Sequence, residues 1–276
     1  VFILLIGSLL IKNNALKISD LVLFINIYTL CLTPLRDFKD LFLNYKETKI
    51  SILRLNDLIF DKKQRKNFES LDNVKIKNLN YYNQKSILKD INLDIKKKDK
   101  IIFLGSSGTG KSTLLKIIKG YYNIKLLYNG KKDTGLKYKI SYLSQNEFLF
   151  TDTIYNNITL NNDININEFN KIYSDCLLDK IDCNYLIEEN GFNISGGEKQ
   201  RIILARTILS NADLILIDEG FSQMDVDIER KILKNIFKNY KDKIIIVVSH
   251  RKDNIDLFNK MWILKDKRIE QIVKSS

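Results

Sequence analysis

The sequence predicts an α/β domain with a partly parallel sheet, preceded by apolar helices. Three observations support this. Six β-rich runs after residue 70 have helical patterns between several of them, the order expected of a parallel sheet with crossover helices. A glycine-rich loop joins one run to a helical pattern, and two apolar stretches occupy most of the first 38 residues.

Length and composition fit one full domain with a smaller appendage. The chain has 276 residues, 45% of them hydrophobic, which allows one full core and a second small element. Its formal net charge of +12 would suit nucleic acid or an anionic membrane surface, or belongs to a solvated lysine-rich surface. The three cysteines lack the paired spacing of a zinc site or disulfide framework, so we expect free thiols in a reducing cytoplasm.

The two apolar stretches come first along the chain. Residues 1–11 are apolar apart from Gly7 and Ser8, and we interpret them as the end of a truncated membrane helix, because no basic flank or signal-peptide cleavage site surrounds them. The second stretch extends from Ile18 to Phe38, about 20 residues, which is roughly enough to cross a hydrocarbon core. Basic residues crowd its downstream side, as on a cytoplasmic flank, although a buried soluble helix is the alternative.

A long helix is expected to lead from the second stretch to the folded domain. Apolar residues recur at three- and four-residue steps from Asp37 to Phe60, which is typical of an amphipathic helix. A charged segment follows, and we place the domain boundary near residue 70. The sequence thus predicts a membrane part over residues 1–60 and an α/β domain over 70–276. Strands are expected at residues 74–80, 87–95, 101–104, 140–143, 214–217 and 244–248.

The loop after the third predicted strand matches the phosphate-binding pattern G-x-x-x-x-G-K-[ST] between a strand and a helix. It reads Gly105-Ser106-Ser107-Gly108-Thr109-Gly110-Lys111-Ser112, and Thr113 opens the helical run. Glycines let backbone N–H groups surround phosphate oxygens, the helix N-terminus favours an anion and Lys111 adds a positive charge. Ser112 can offer its hydroxyl to Mg²⁺. The alternative, a plain glycine-rich turn, fits this context poorly.

Two adjacent acids end the fifth predicted strand. Asp218 and Glu219 directly follow the apolar run from Leu214 to Ile217. One carboxylate at a strand tip can hold a Mg²⁺ that bridges two phosphates, while its neighbour faces an attacking water. We assign Asp218 to the metal and Glu219 to the water. A solvated strand end is the alternative for an isolated pair of acids.

A second anion-binding turn opens the helical pattern before this strand. It reads Asn193-Ile194-Ser195-Gly196-Gly197-Glu198-Lys199-Gln200-Arg201. Here the chain resembles the ABC transporter superfamily, whose signature motif reads L-S-G-G-Q. The resemblance implies a P-loop NTPase fold of the ABC ATPase type, with an antiparallel β-subdomain and an α-helical subdomain. It also implies a head-to-tail dimer in which Ser195, Gly196 and Gly197 complete the γ-phosphate site of the partner's ATP.

Other family motifs occur in the expected order. Gln145 resembles the Q-loop residue that contacts Mg²⁺, Asp225 belongs to a D-loop, and His250 resembles the switch histidine that contacts the γ-phosphate. A core role is the usual alternative for a lone histidine, but His250 follows an apolar strand, as it does in the family. An aromatic residue upstream of the phosphate loop stacks on adenine in the family. We assign this role to Tyr82, with Tyr81 as the alternative.

The resemblance extends to exporters within this family. Glu189 and Gly191 resemble an acid-rich loop that contacts the membrane domain, and the start of the second apolar stretch is similar to the last membrane helix of exporters. The run from Glu188 to Asp225 looks most like transporters of bacteriocins and other modified peptides. The resemblance implies ATP- and Mg²⁺-dependent hydrolysis that powers export, of a peptide by this likeness, across the cytoplasmic membrane.

The implied partners are a second cassette in a homodimer, the membrane and further transmembrane helices, with no nucleic acid. Glu198 replaces the usual signature Gln, Ile194 replaces Leu, and Gly220 with Phe221 replaces Ala-Thr. None of these changes removes a phosphate, metal or water ligand, so we expect an active ATP site. The alternatives are a soluble ABC ATPase that acts on nucleic acid, and a transport-incompetent remnant that binds nucleotide.

Overall fold

The computed structural model describes residues 6, 9–11, 13, 17–32, 34, 68–83, 85–145 and 147–273. The chain divides into two compact units, Val1–Lys66 and Asn67–Ser276. In the first unit, residues 18–32 are helical. No helix among the described residues is both long enough and apolar enough to cross a membrane. The helix expected over residues 37–60 lies outside the described residues.

The second unit alternates strands and helices. In chain order its elements are β1 (Asn73–Asn83), β2 (Lys85–Lys96), β3 (Lys100–Leu104), α1 (Lys111–Lys119), β4 (Leu126–Tyr128), β5 (Lys131–Asp133), β6 (Ile140–Leu143), α2 (Ile154–Thr159), α3 (Ile166–Asp175), α4 (Gly196–Leu209), β7 (Leu214–Asp218), α5 (Val226–Asn239), β8 (Ile244–Val248), β9 (Lys260–Lys265) and β10 (Arg268–Val273). Short 3-10 turns occur at Glu189–Gly191 and Ile255–Leu257.

The strands form two sheets. An antiparallel sheet has the order β2-β1-β4-β5, and a six-stranded sheet has the order β10-β9-β3-β8-β7-β6. In the larger sheet, β9, β3, β8, β7 and β6 pair in parallel, while β10 pairs antiparallel to β9. The predicted partly parallel α/β sheet is therefore confirmed. The register places Val248 beside both Phe103 and Asp218, so the loops after β3, β7 and β8 leave one edge of the sheet together.

Both faces of β3, β7 and β8 are buried along their whole length, which explains why these central strands are almost continuously apolar. On β3, Ile101 and Phe103 face a core shared with α1 and the antiparallel sheet. Ile102 and Leu104 face a second core formed by the helices α2 to α5. This alternation follows from the two-residue period of a strand. The sheet is thus a rigid platform, fixed on both sides, for the loops at its edge.

All six predicted strands are present. Those at residues 140–143 and 244–248 have the predicted ends, and the ends of the other four extend by one to three residues. The helix α4 begins at Gly196, directly after the turn that the sequence predicts, because Ser195 caps it. Four strands were not predicted: β4, β5, β9 and β10. The strand β5 has the sequence Lys-Lys-Asp, without an apolar alternation, so it exists because β4 supplies its hydrogen-bond partners.

Candidate functional site

The loop between β3 and α1 is built by glycines with left-handed backbone. Gly105, Gly108 and Gly110 have φ of 152°, 75° and 113°, a region that residues with a Cβ adopt at a cost. A Cβ on Gly110 would also lie 2.7 Å from Cγ2 of Ile87. The hydroxyl of Thr109 donates to the carbonyl of Ser106 at 2.8 Å. These constraints hold the loop in a fixed, concave shape.

Lys111 directs its ammonium group into this loop. Its Nζ donates to the carbonyl oxygens of Gly105 at 2.9 Å and Ser106 at 2.8 Å. The residue is only 4% exposed. Burial lowers the pKa of Lys111, while the nearby carboxylates of Glu219 and Asp218 act in the opposite direction. A cation is therefore held between the loop and the two acids at the end of β7.

Asp218 has one carboxylate oxygen fixed and one unpaired. It is 2% exposed, and the hydroxyl of Tyr142 donates to its Oδ2 at 2.9 Å. Burial and the carboxylate of Asp218 raise the pKa of Tyr142, which therefore stays a donor at neutral pH. The Oδ1 atom of Asp218 has no hydrogen-bond partner among the described residues. A buried unpaired carboxylate oxygen is costly and suits a hard cation such as Mg²⁺, which takes oxygen ligands.

The described residues include no cluster of three or more His, Cys, Asp or Glu side chains that could hold a metal ion. This donor set fits Mg²⁺ bound by one or two protein oxygens together with nucleotide phosphates, rather than by a cage of protein ligands. Asp218 supplies the unpaired oxygen, and Ser112 lies in the first turn of α1 after the loop.

Two side chains converge on Glu219. Nε2 of Gln145 donates to Oε2 at 2.7 Å, and Nε2 of His250 lies 2.7 Å from Oε1. Glu219 has a left-handed backbone with φ of 57°. A Cβ on the following Gly220 would lie 2.7 Å from Cγ2 of Ile217 and 3.2 Å from Leu143. A steric clash therefore explains why glycine stands at position 220 instead of the Ala of the ABC transporter motif.

The turn before α4 is a helix cap of standard geometry. Ser195 has φ of −69° and ψ of 154°, its Oγ accepts from the N–H of Glu198, and the Glu198 carboxylate accepts from the N–H of Ser195. Such a reciprocal pair is a capping box. A Cβ on Gly196 would lie 2.4 Å from Oε1 of Gln223. A larger residue here would therefore displace the Gln223 side chain, while Gly196 itself has no positive φ.

Hydrogen bonds join the loop after β7 to this turn and to Arg251, the residue after His250. The side chain of Gln200 donates to Oγ of Ser222 and accepts from the N–H of Gln223, both at 2.9 Å. The guanidinium of Arg251 donates to the carbonyl oxygens of Ser222, at 3.0 Å, and Met224. Asp225 ends this loop as the N-cap of α5, without a side-chain capping bond.

Three of these residues were not predicted as parts of the site: Tyr142, Gln200 and Arg251. Tyr142 comes three residues before Gln145, and Arg251 directly follows His250. Their proximity to the motifs was the one signal in the sequence. Their actual contacts depend on which strands and loops are neighbours, which the motifs do not specify.

The tyrosines of the β1–β2 hairpin differ in exposure. Tyr82 is 64% exposed, whereas the ring of Tyr81 packs against Tyr122 with centroids 5.1 Å apart. Tyr82 pairs with Ser86 in the sheet, and the next residue, Ile87, lies against Gly110 of the loop. Tyr82 therefore presents a free ring face close to the phosphate-loop side of the hairpin.

The predicted residues fall into two groups. The loop after β3, Asp218, Glu219, Gln145 and His250 form one group at the sheet edge. Ser195, Gly196 and Gly197 line a separate cavity of about 500 Å³ together with Asp225 and its neighbours. No residue of the loop after β3 lines that cavity. The single chain therefore does not bring its two anion-binding turns onto one site.

Comparison with protein families matches residues 88–222 to the ABC transporter family. The chain is 30% identical, over 98% of its length, to the lacticin-481/lactococcin-DR transport/processing ATP-binding protein of Lactococcus lactis subsp. lactis. It is 29% identical, again over 98% of its length, to the sublancin-168-processing and transport ATP-binding protein of Bacillus subtilis (strain 168). In both comparisons the chain spans 41% of the relative's length.

A solved structure shares the fold. It is described as a bacterial Atm1-family ABC exporter with ATP bound, and it superposes with a TM-score of 0.67 at 24% sequence identity. The match covers 93% of this chain and 49% of the other. At this identity the likeness supports the fold alone.

Proposed function

We propose that this chain, a member of the ABC transporter family, is an ATP hydrolase that works as a dimer of cassettes whose ATP sites are built from the residues above. One observation carries the proposal. Gln145 and His250 both contact Glu219, beside Asp218 with its unpaired buried oxygen. Buried unpaired acceptors are rare in folded proteins unless a ligand or ion uses them.

The nucleotide would lie along the loop after β3. Tyr82, with its exposed ring, would stack on adenine, and the backbone N–H groups from Gly105 to Thr113 would surround the phosphates. The ammonium of Lys111 now bonds to two loop carbonyls and would turn to the phosphate oxygens. Because these carbonyls belong to the loop that surrounds the phosphates, Lys111 needs only a small movement to change partners.

Mg²⁺ would be held by Ser112, Gln145 and Asp218, and when bound it offsets negative charge on the phosphates. Tyr142 fixes the Asp218 carboxylate through Oδ2, which leaves Oδ1 for the metal. Gln145 has a second role in this arrangement. If its side chain turns to the metal, Oε2 of Glu219 loses its partner and becomes free to accept a proton.

Glu219 would be the general base for the attacking water, with His250 as the contact to the γ-phosphate. A base must lie within hydrogen-bond reach of the proton it takes. The bond between Glu219 and His250, at 2.7 Å, holds the carboxylate in one orientation. Both of its oxygens are engaged in the structure, so we propose that nucleotide binding releases Gln145 before hydrolysis.

A second chain would complete each site. Ser195 and Gly196 are exposed and lie in a separate cavity, so they are accessible to the ATP of a partner. In a symmetric head-to-tail dimer each surface meets its counterpart twice. We propose a homodimer, with Asp225 at the same interface.

The transported substrate is proposed from the relatives. The names of two relatives describe the processing and transport of lacticin and sublancin. We propose that this chain powers export of a peptide across the cytoplasmic membrane, with the α/β unit on the cytoplasmic side. The basic segment that follows Ile18 to Phe38 supports this orientation, because cytoplasmic flanks carry excess Lys and Arg.

The test is ATP hydrolysis by the full chain in detergent, measured over a range of chain concentrations. We expect the rate per chain to rise with concentration, and Glu219→Gln to lower the rate at least about 100-fold, as expected of a general base. Glu270→Gln, an exposed change on β10, is the control and should leave the rate unchanged. A rate per chain independent of concentration would contradict the dimer. An undiminished rate in Glu219→Gln would contradict the base.

A further inference from the structure

We propose that Glu198 is a positioning residue that opposes ATP-dependent pairing of two chains, because its carboxylate holds the Ser195 hydroxyl that the partner's γ-phosphate would need. This inference rests on the proposed dimer. It concerns a residue at which this chain departs from the glutamine of the signature motif.

The contacts of Glu198 occupy the hydrogen-bonding groups of Ser195. The Ser195 hydroxyl donates to Oε2 of Glu198 at 2.8 Å, and the Ser195 N–H donates to the same oxygen at 2.9 Å. A serine hydroxyl has one proton to donate. A phosphate oxygen that approaches this turn therefore competes with Glu198 for that proton.

The charge of Glu198 adds to this competition. Hydrogen bonds from the backbone and side chain of Ser195 hold the pKa of Glu198 below its usual value, so the carboxylate is ionised at neutral pH. A hydrogen bond to an ionised acceptor is about twice as strong as a neutral one. The negative charge in the first turn of α4 also offsets the positive end of the helix dipole, which would otherwise attract a phosphate. The guanidinium of Arg201 lies 4.0 Å from Oε1 and compensates only part of this negative charge.

Replacing Glu198 by glutamine would remove the negative charge and keep the capping hydrogen bond. Either Glu or Gln completes a capping box, so Glu198→Gln preserves an acceptor oxygen for the N–H of Ser195. The neutral amide holds the hydroxyl less strongly and carries no charge that repels phosphate. The change therefore weakens the competition without removing the structural role.

The test uses the full chain with Glu219→Gln, so that bound ATP stays intact and closed dimers accumulate. The ATP concentration at half-maximal dimerisation is measured by sedimentation velocity. We expect added Glu198→Gln to lower this concentration about fivefold, the size expected when a charge-assisted bond becomes a neutral one. Because Glu198 is ionised at neutral pH, the effect should be constant between about pH 6 and 8.

The matched control is Glu168→Gln. Glu168 is an exposed acid in the first turn of α3, three residues after its N-cap Asn165, so the chemical change and the position in the helix are the same. It should leave the dimerisation midpoint unchanged. Thermal unfolding distinguishes a loss of stability from a change in dimerisation. Glu198→Ala should lower the melting temperature by loss of the cap, whereas Glu198→Gln should not.

Two results would overturn the inference: a midpoint for Glu198→Gln equal to that of Glu168→Gln, or a midpoint that rises. A chain that binds ATP and stays monomeric with either residue at position 198 would instead refute the proposed dimer, and the inference with it. A parent chain that binds no ATP would refute the proposed nucleotide site. The three failures are distinguished by measuring ATP binding beside dimerisation.

Discussion

The loop after β3 and the turn before α4 both place glycines at the start of a helix, but they use those glycines differently. In the first, Gly105, Gly108 and Gly110 adopt left-handed backbone, and the loop is concave around the ammonium of Lys111. In the second, Ser195 has ordinary cap geometry, Gly196 has no positive φ, and the side chain of Gln223 lies against Gly196. The first supplies its own cation, whereas the second holds its own anion.

This difference is what the proposed dimer requires, in which the first turn is complete within a single chain and the second is not. A left-handed glycine loop directs several N–H groups inward, and Lys111 together with Asp218 and Glu219 surrounds the same space. A helix cap exposes only the first-turn N–H groups. The hydroxyl and N–H of Ser195 already donate to Glu198. Under the proposed function, we expect the first turn to bind nucleotide within one chain. We expect the second to contribute only when another chain brings a phosphate to it.

The largest expected effect separates nucleotide binding from pairing. Lys111→Ala should lower the ATP affinity of the single chain about 100-fold, because a charge-assisted contact to phosphate is lost. Ser195→Ala should leave that affinity within about twofold, because in the proposed dimer Ser195 contacts the partner's nucleotide. Titration with fluorescent ATP at chain concentrations too low for dimerisation measures both. Equal losses in the two variants would break the comparison.

A smaller effect is expected at the second turn. Gly196→Ala places a Cβ 2.4 Å from Oε1 of Gln223, so the Gln223 side chain must move, and we expect ATP hydrolysis to fall about tenfold with single-chain ATP binding unchanged. The double variant with Gln223→Ala removes the obstructing side chain and should recover most of the rate. Steady-state hydrolysis of the four forms gives the coupling. Simple additivity would show that the contact is not the cause.

The smallest effect concerns backbone strain alone. Gly108 and Gly130 both have positive φ, 75° and 79°, and a Cβ at either position would have no atom within 4 Å. Replacing either by Ala should cost about 1 kcal/mol of unfolding free energy, the strain of a left-handed alanine. Only Gly108→Ala should also weaken ATP binding. Urea unfolding and ATP titration measure the two effects, and a loss of affinity in Gly130→Ala would contradict this assignment.

The motifs predicted the residues of the candidate site better than they predicted the hydrogen-bond partners of those residues. Lys111, Asp218 and Glu219 were placed by strand–loop patterns alone, because the end of a parallel strand fixes the edge at which its loop emerges. Tyr142 was missed, since its bond to Asp218 requires β6 to lie beside β7. Arg251 was missed because its acceptors belong to a loop 27 and 29 residues away along the chain.

By itself, the sequence determined the α/β class, the positions of six strands along the chain and the identity of the two glycine turns, because periodicity and glycine spacing are local properties of the chain. Only the tertiary structure decided that Gln145 and His250 both hydrogen-bond to Glu219, that Asp218 retains one unpaired oxygen, and that Glu198 accepts the hydroxyl proton of Ser195. These are distances between particular side-chain atoms. They depend on strand order, packing and rotamer, which no local pattern contains.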